Sequence, residues 1–123
     1  MGWIGVDLDG TLAHYNGWAN GQIGEPVPAM IERVKMWLEE DRDVRIFTAR
    51  VAVSGGYSLE SHKFADVQFA DEQRELIGEW CLKHIGRVLP VTATKDFSCI
   101  EIYDDRAWRV EMNTGRVIGE GGK

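Results

Sequence analysis

Residues 3–12 read WIGVDLDGTL. The run over 3–6 is short and apolar, which predicts a strand buried inside a parallel sheet. Asp7 and Asp9 follow directly, and the glycine at position 10 is typical of a turn. Ligands of open α/β sheets bind at the carboxyl ends of the strands. The stretch therefore predicts both the first strand of the fold and one edge of a site.

Short apolar runs and helical stripes alternate through the rest of the chain. The alternation predicts an α/β fold, with a Rossmann-like parallel sheet covered by helices on both faces, in one domain over residues 1–123. The runs that predict strands are 44–47, 88–89, 100–103 and a short last one at 116–118. The predicted helices are 28–40, 76–85 and 105–113. The segment 51–70 is expected to be a long loop, with a short helix as the alternative, and 119–123 a frayed tail.

Composition limits the classes of function. The 123 residues carry a formal net charge of −6, which excludes an extended surface for duplex nucleic acid but not a local pocket for one phosphorylated end. The first residues contain neither a basic segment nor a long apolar run, so we expect no signal peptide and no membrane partner. The two cysteines, Cys81 and Cys99, lie in apolar patterns and are expected to be buried thiols, which favours a cytoplasmic location.

Polar and charged side chains cluster where the predicted strands end. Because the carboxyl ends of parallel strands share one edge of the sheet, we expect them to meet there. Several carboxylates on one edge repel one another unless a hard cation lies between them, and oxygen ligands of this kind suit Mg²⁺. The residues are Asp7, Asp9, Thr48, Lys95, Asp104 and Asp105.

This set of side chains predicts phosphoryl chemistry. A metal ion neutralises phosphoryl oxygens that would otherwise repel an attacking carboxylate. A carboxylate nucleophile divides hydrolysis into two easier steps through an acyl phosphate. A second carboxylate two residues further along can protonate the leaving oxygen and then accept a proton from water.

The order of these residues resembles the four motifs of the haloacid dehalogenase superfamily. Residues 7–12 are similar to its first motif, Asp-x-Asp-Gly-Thr-Leu; Thr48 and Lys95 are similar to the second and third, and Asp104-Asp105 to the fourth. The resemblance implies a phosphatase with an aspartyl-phosphate intermediate. Members that displace halide do not use the second aspartate, so the presence of Asp9 points to phosphoryl transfer.

The resemblance also implies roles for individual residues. Asp7 would be the nucleophile and Asp9 the general acid and base, with Thr48 and Lys95 holding the transferred phosphoryl group. Taken alone, Thr48 fits a turn cap and Lys95 a solvated lysine, with Lys83 as a rival for its role. Magnesium would be held by Asp7, the backbone carbonyl of Asp9, Asp104 and Asp105. Substrate would be bound by Thr11, Arg50 and Arg106. Arg106 would lie on a helix that follows the metal carboxylates.

Arg50 and Arg106 fit structural salt bridges equally well. His14, Tyr15 and Trp18 follow the first motif and fit either the entrance of the site or the ordinary surface.

Neither interval between the motifs is long enough for the full cap domain that usually selects substrates in this superfamily. The region around Asp104–Arg106 is similar to the 3′-phosphatase domain of phage-type polynucleotide kinases. A nucleotide or nucleic-acid 3′-phosphate is therefore the first hypothesis for the substrate. The alternatives are a phosphatase for a phosphorylated small molecule, whose open site is covered by an oligomer partner or by the 51–70 loop, and a non-catalytic phosphate-binding module.

Overall fold

The computed structural model describes residues 2–17, 21–53, 57–58, 63–64 and 67–119. The expected tail over 119–123 lies outside this part of the chain except for its first residue. So do Trp18 and, within the 51–70 segment, residues 54–56, 59–62 and 65–66.

Four parallel strands form the main sheet, as expected for an α/β fold. They are β1 (Trp3–Val6), β2 (Asp43–Phe47), a strand at Val91–Thr92 and a strand at Cys99–Tyr103. Two short antiparallel strands, β3 (Tyr57–Ser58) and β4 (Lys63–Phe64), precede Val91–Thr92, which makes the last two sheet strands β5 and β6. The order across the sheet is β5-β2-β1-β6, with β1 and β2 in the centre.

The described residues contain two α-helices, α1 (Pro28–Glu39), which follows β1, and α2 (Val67–His84), which follows β4. Alternate residues of the central strands point to one face of the sheet, and both helices place their apolar stripes against that face. This core includes Ile4, Val6, Val44 and Ile46 from the sheet, Ile31, Val34 and Trp37 from α1, and Ile77, Trp80 and Cys81 from α2.

The opposite face of the sheet is covered differently. Trp3 is fully buried there, edge-on to Phe47 at 6.1 Å between ring centroids and beneath the guanidinium of Arg45 at 4.9 Å. Its indole N–H donates to Asp96 Oδ1 at 2.8 Å, in the short connection from β5 to β6. Within the described residues both helices contribute to the core on the first face, so the structure differs from the expectation of helices on both faces.

The C-terminal segment corrects one predicted element. Residues 105–113 are not helical: turns lead into β7 (Arg109–Val110), which pairs with β8 (Val117–Ile118) in an antiparallel hairpin. Asn113 (φ 68°) and Gly115 (φ 79°) adopt the left-handed conformation in the connecting turn, which asparagine and glycine tolerate best. The expected last strand at 116–118 is confirmed as β8.

The bounds of two other elements, α2 and β5, differ from the predicted ones. Helix α2 begins at Val67, inside the segment expected to be a loop, because Ala70 and Gln73 extend its buried face towards the N-terminus. The predicted strand at 88–89 lies earlier than the paired residues of β5, although Leu89 is buried. No additional domain interrupts the described residues between the first and third motifs, in agreement with the expected lack of a full cap.

Candidate active site

A cavity of about 690 Å³ opens at the carboxyl ends of the sheet strands. The residues singled out in the sequence that line it are Asp7, Asp9, Tyr15, Thr48, Arg50, Asp104, Asp105 and Arg106. Phe47 and Phe69 line it as well. The predicted convergence of the first, second and fourth motifs on one edge of the sheet is therefore what the fold produces.

The register of β1 and β6 brings the first and fourth motifs together. Val6 is paired with Tyr103, and the backbone N–H of Asp7 donates to the carbonyl of Tyr103 at 2.9 Å. Asp7 and Asp104 therefore leave neighbouring strands at the same level. A tight loop follows Asp7, in which the carbonyl of Leu8 accepts the backbone N–H groups of Thr11, Leu12 and Ala13.

Gly10 allows this loop to approach the fourth motif. Its φ of 93° is unfavourable for residues with a side chain, and a Cβ atom built there would lie 2.9 Å from the Asp105 carboxylate oxygens. Any larger residue would push Asp105 away from Asp7. The glycine is thus required by both the backbone conformation and the close approach of a carboxylate.

Asp7, Asp104 and Asp105 form a carboxylate cluster, in which one oxygen from each residue lies within 4.8 Å of the others. Burial and the negative charges of Asp104 and Asp105 raise the pKa of Asp7 from 3.8 to about 7. Among the described residues none forms a salt bridge to these three carboxylates. A divalent cation would relieve this repulsion, and three carboxylate oxygens are a suitable partial ligand set for Mg²⁺.

The hydroxyl of Thr11 connects Asp7 and Asp105 within this cluster. Its hydroxyl donates to Asp105 Oδ1 at 3.0 Å, lies 3.4 Å from Asp7 Oδ2, and accepts the backbone N–H of Asp105 at 3.0 Å. Desolvation acts to raise the pKa of Asp105, but hydrogen bonds from Thr11 and Asp7 outweigh this effect and lower that pKa overall. Thr11 therefore orders the carboxylates. It is not among the residues that line the cavity, and its expected role in binding substrate stays a prediction.

Asp9 lines the same cavity but is not part of the cluster, and Arg50 holds its carboxylate. Arg50 Nε donates to Asp9 Oδ2 at 2.7 Å and Nη2 donates to Asp9 Oδ1 at 2.8 Å, a bidentate ion pair. Only 3% of the Arg50 side chain is exposed, against 20% for Asp9. The guanidinium of Arg50 therefore orients Asp9, as the salt-bridge alternative expects, while its expected role in binding substrate stays a prediction.

Thr48 both caps a turn and lines the cavity. Its hydroxyl oxygen accepts the backbone N–H of Arg50 at 3.2 Å, at the start of a 3-10 turn over Ala49–Val51, and its own backbone N–H donates to Thr92 at 2.9 Å. The hydroxyl proton remains available for another acceptor. The capping role and the expected phosphoryl contact are therefore compatible.

The two remaining basic residues of the predicted site, Arg106 and Lys95, differ in position. Arg106 lines the cavity from a turn, with its backbone N–H donating to Asp104 Oδ1 at 2.8 Å, so the expected helix at this position is wrong. Lys95 is exposed on the connection between β5 and β6 and is not among the cavity-lining residues, although Ala93, two positions earlier, is. The structure does not bring Lys95 to the carboxylates, and its role stays a prediction.

Sequence reasoning missed two features of the site. Gln73 of α2 is buried and accepts a hydrogen bond from Arg50 at 2.8 Å. The sequence did carry a signal for Gln73. It lies three residues after Ala70 and four before Ile77, and these spacings place a polar side chain on the apolar face of a helix. The rings of Phe47 and Phe69 at the cavity gave no signal, because aromatic residues in a strand or helix usually pack in the core.

Comparison with known proteins supports the fold. No protein-family model matches the chain, and no curated protein sequence matches it. A solved structure of a conserved protein from Bacteroides thetaiotaomicron is similar, with a TM-score of 0.55 and 21% sequence identity over 86% of this chain and 77% of the other. At this identity the similarity shows a shared fold. Across the described ranges, no helix is long and apolar enough to cross a membrane.

Proposed function

We propose that this protein is a magnesium-dependent phosphomonoester hydrolase that forms a phosphoryl intermediate on Asp7. The observation that carries the proposal is the carboxylate cluster of Asp7, Asp104 and Asp105, whose oxygens lie within 4.8 Å of one another at the wall of an open cavity. The resemblance to the haloacid dehalogenase motifs likewise implies that Asp7, Asp104 and Asp105 bind magnesium. Holding three carboxylates this close together is costly because their charges repel, and a bound divalent cation would offset that cost.

The same carboxylates are the proposed magnesium ligands, with the backbone carbonyl of Asp9 as a fourth. The bound ion would neutralise the phosphoryl oxygens of the substrate and so lower the barrier to attack by an anionic nucleophile. An ionised Asp7 is required for that attack, and its pKa of about 7 without metal means that a neighbouring cation would favour the reactive form.

In the proposed reaction, a carboxylate oxygen of Asp7 forms a bond to phosphorus as the bond to the leaving oxygen breaks. Asp9 donates a proton to that oxygen, so the product leaves as an alcohol. Water then attacks the phosphoryl group, gives a proton to Asp9, and releases inorganic phosphate with Asp7 restored. The hydroxyl of Thr48 is the proposed donor to the transferred group, and Lys95 would need to move towards the cavity to join it.

A nucleotide or a nucleic-acid 3′-phosphate is the proposed substrate. Tyr15 and Phe69 are 47% and 41% exposed beside the cavity, and rings in this position can stack on a base. Arg106, also exposed there, carries a charge that suits a phosphodiester or a second phosphate. Cytoplasmic location is part of this proposal, supported by the free thiols of Cys81 and Cys99.

The proposal is tested by phosphate release from a panel of phosphomonoesters with Mg²⁺ and with EDTA. The panel contains nucleoside 3′- and 5′-monophosphates, 3′-phosphorylated oligonucleotides and sugar phosphates. We expect release that falls to background in EDTA and returns with excess Mg²⁺, because the carboxylate cluster repels a phosphate without its cation. Nucleoside or oligonucleotide 3′-phosphates should be the best substrates; a sugar phosphate as best substrate would favour small-molecule metabolism. Release that persists undiminished in EDTA would contradict the mechanism.

A further inference from the structure

The guanidinium of Arg50 is held by a complete set of acceptors. Nε and Nη2 donate to the two carboxylate oxygens of Asp9, and Nη2 also donates to the carbonyl of Gln22 at 3.3 Å. Nη1 donates to the carbonyl of Gly21 at 2.6 Å and to Gln73 Oε1 at 2.8 Å. These five contacts match the five N–H donors of a guanidinium, whose rigid plane transmits the position of each acceptor to the others.

Gln73 is the one side chain in this set that comes from a helix. It is 4% exposed, on the face of α2 that also buries Ala70 and Ile77, where an apolar residue would be expected. A buried amide is unfavourable unless its polar atoms are hydrogen-bonded, and the contact to Arg50 supplies a charged donor for its oxygen. Helix α2 therefore reaches Asp9 through Gln73 and Arg50.

We propose that Gln73 is a positioning residue for the general acid, acting through Arg50 to fix the orientation of the Asp9 carboxyl group at the cavity. This inference rests on the proposed function. Each carboxyl oxygen has two lone pairs, and the bidentate contact uses one on each. The remaining positions on Asp9 can carry the proton that the leaving group receives. The orientation of the Arg50 guanidinium plane therefore fixes the direction of the proton on Asp9.

This role predicts a dependence on the leaving group. An alkoxide leaving group needs a proton from Asp9, whereas 4-nitrophenolate leaves readily without one. Loss of the Gln73 contact would let Arg50 and Asp9 shift together, and displacements on the order of 1 Å cost up to about 100-fold in well-oriented reactions. The shift should therefore slow alkyl phosphates selectively. A purely structural role for Gln73 would slow both substrates equally.

The test is Gln73→Leu, compared with Gln68→Leu as a matched control on the exposed side of the same helix. Leaving-group release is measured in single turnovers with Mg²⁺, for 4-nitrophenyl phosphate and for the best alkyl ester of the panel, with adenosine 3′-monophosphate as first choice. We expect Gln73→Leu to slow the alkyl ester about 10-fold or more and 4-nitrophenyl phosphate by less than about 2-fold. Gln68→Leu should change neither rate.

Two further variants complete the test. Gln73→Glu keeps an oxygen acceptor for Arg50 and should restore most of the alkyl-ester rate. If Gln73→Leu does not fold, Gln73→Met preserves the length of the side chain without the acceptor and should show the same selective loss. Equal slowing of both substrates, or no slowing, would overturn the role of Gln73 while leaving the hydrolase intact. A wild-type protein without Mg²⁺-dependent release from any ester would overturn the proposed function itself.

Discussion

Asp7→Asn should reduce phosphate release by at least about 10⁴-fold with every substrate that the wild-type protein hydrolyses. Asparagine has the shape of aspartate but supplies no anionic oxygen to attack phosphorus. The change also removes one of the three carboxylates of the cluster. Steady-state phosphate release with saturating Mg²⁺ is the measurement, because saturating metal separates loss of the nucleophile from weaker metal binding.

The control for this variant is Asp71→Asn, the same substitution at a side chain that is 72% exposed on α2. It should leave the rate unchanged. Release by Asp7→Asn within about 10-fold of the wild-type rate would remove Asp7 as the nucleophile.

Stability measurements distinguish a lost nucleophile from a lost fold. The pKa of Asp7 is about 7 in the folded protein against an ordinary value of 3.8, so the folded state binds the proton more tightly than the unfolded state. Without metal, the free energy of unfolding of the wild-type protein should therefore fall as the pH rises from about 4 to about 7. At pH 8 in EDTA, Asp7→Asn should be more stable than wild type by about 1–2 kcal/mol, less than the full value of the shift because this carboxyl group is only half-buried.

Arg50→Met should lower the free energy of unfolding by about 3 kcal/mol or more. The substitution leaves the mostly buried carboxylate of Asp9 without its cation and removes the donor to Gln73. For a domain of this size the loss corresponds to a decrease in melting temperature of about 10 °C. Chemical denaturation in EDTA is the measurement.

A matched control is Arg116→Met. Arg116 forms an ion pair with Glu111 at 2.6 Å, as short as the 2.7 Å contact of Arg50, but its side chain is 64% exposed. Its loss should cost less than about 1 kcal/mol, because water solvates both charges of an exposed pair. Equal effects of the two substitutions would show that the Asp9–Arg50 pair is not the buried clamp described above.

The sheet and the carboxylate cluster were predictable because both depend on local signals. The runs at 3–6, 44–47 and 100–103 are apolar enough to indicate strands, and each ends next to a polar residue that reaches the cavity. The sequence order of the motifs then indicates the meeting of Asp7 with Asp104 and Asp105, since parallel strands bring their carboxyl ends to one edge.

The elements that were mispredicted depend on contacts between distant residues. The apolar pattern at 88–89 arises from burial of Leu89, whereas strand pairing with β2 involves the carbonyl of Pro90 and continues to Thr92. The segment 105–113 has few strong strand signals. Asn113 and Gly115 favour a turn after it, and this turn allows β7 and β8 to pair as a hairpin. Turn residues of this kind outweigh weak helical periodicity.

The partner of Arg50 was not predictable for a related reason. A charged residue after the second motif fits a phosphate contact and a salt bridge equally well, and local sequence does not say which acceptor its side chain reaches. The ion pair joins residues 41 positions apart and depends on how the loop after β1 folds against the 3-10 turn. The contact of Arg50 with Gln73 also joins residues far apart in sequence, 23 positions, and it follows from α2 packing beside that turn.

The measurement that tests the central claim most directly is chemical trapping of the intermediate on Asp7. The wild-type protein is mixed with its best substrate and Mg²⁺, quenched in acid during turnover, and reduced with borohydride, which converts an aspartyl phosphate to homoserine. Peptide mass spectrometry then locates the product. We expect homoserine at position 7 in the wild-type protein, and none there when Mg²⁺ is replaced by EDTA or when the protein is Asp7→Asn. Active turnover with position 7 unmodified, or with homoserine at another aspartate, would contradict the account.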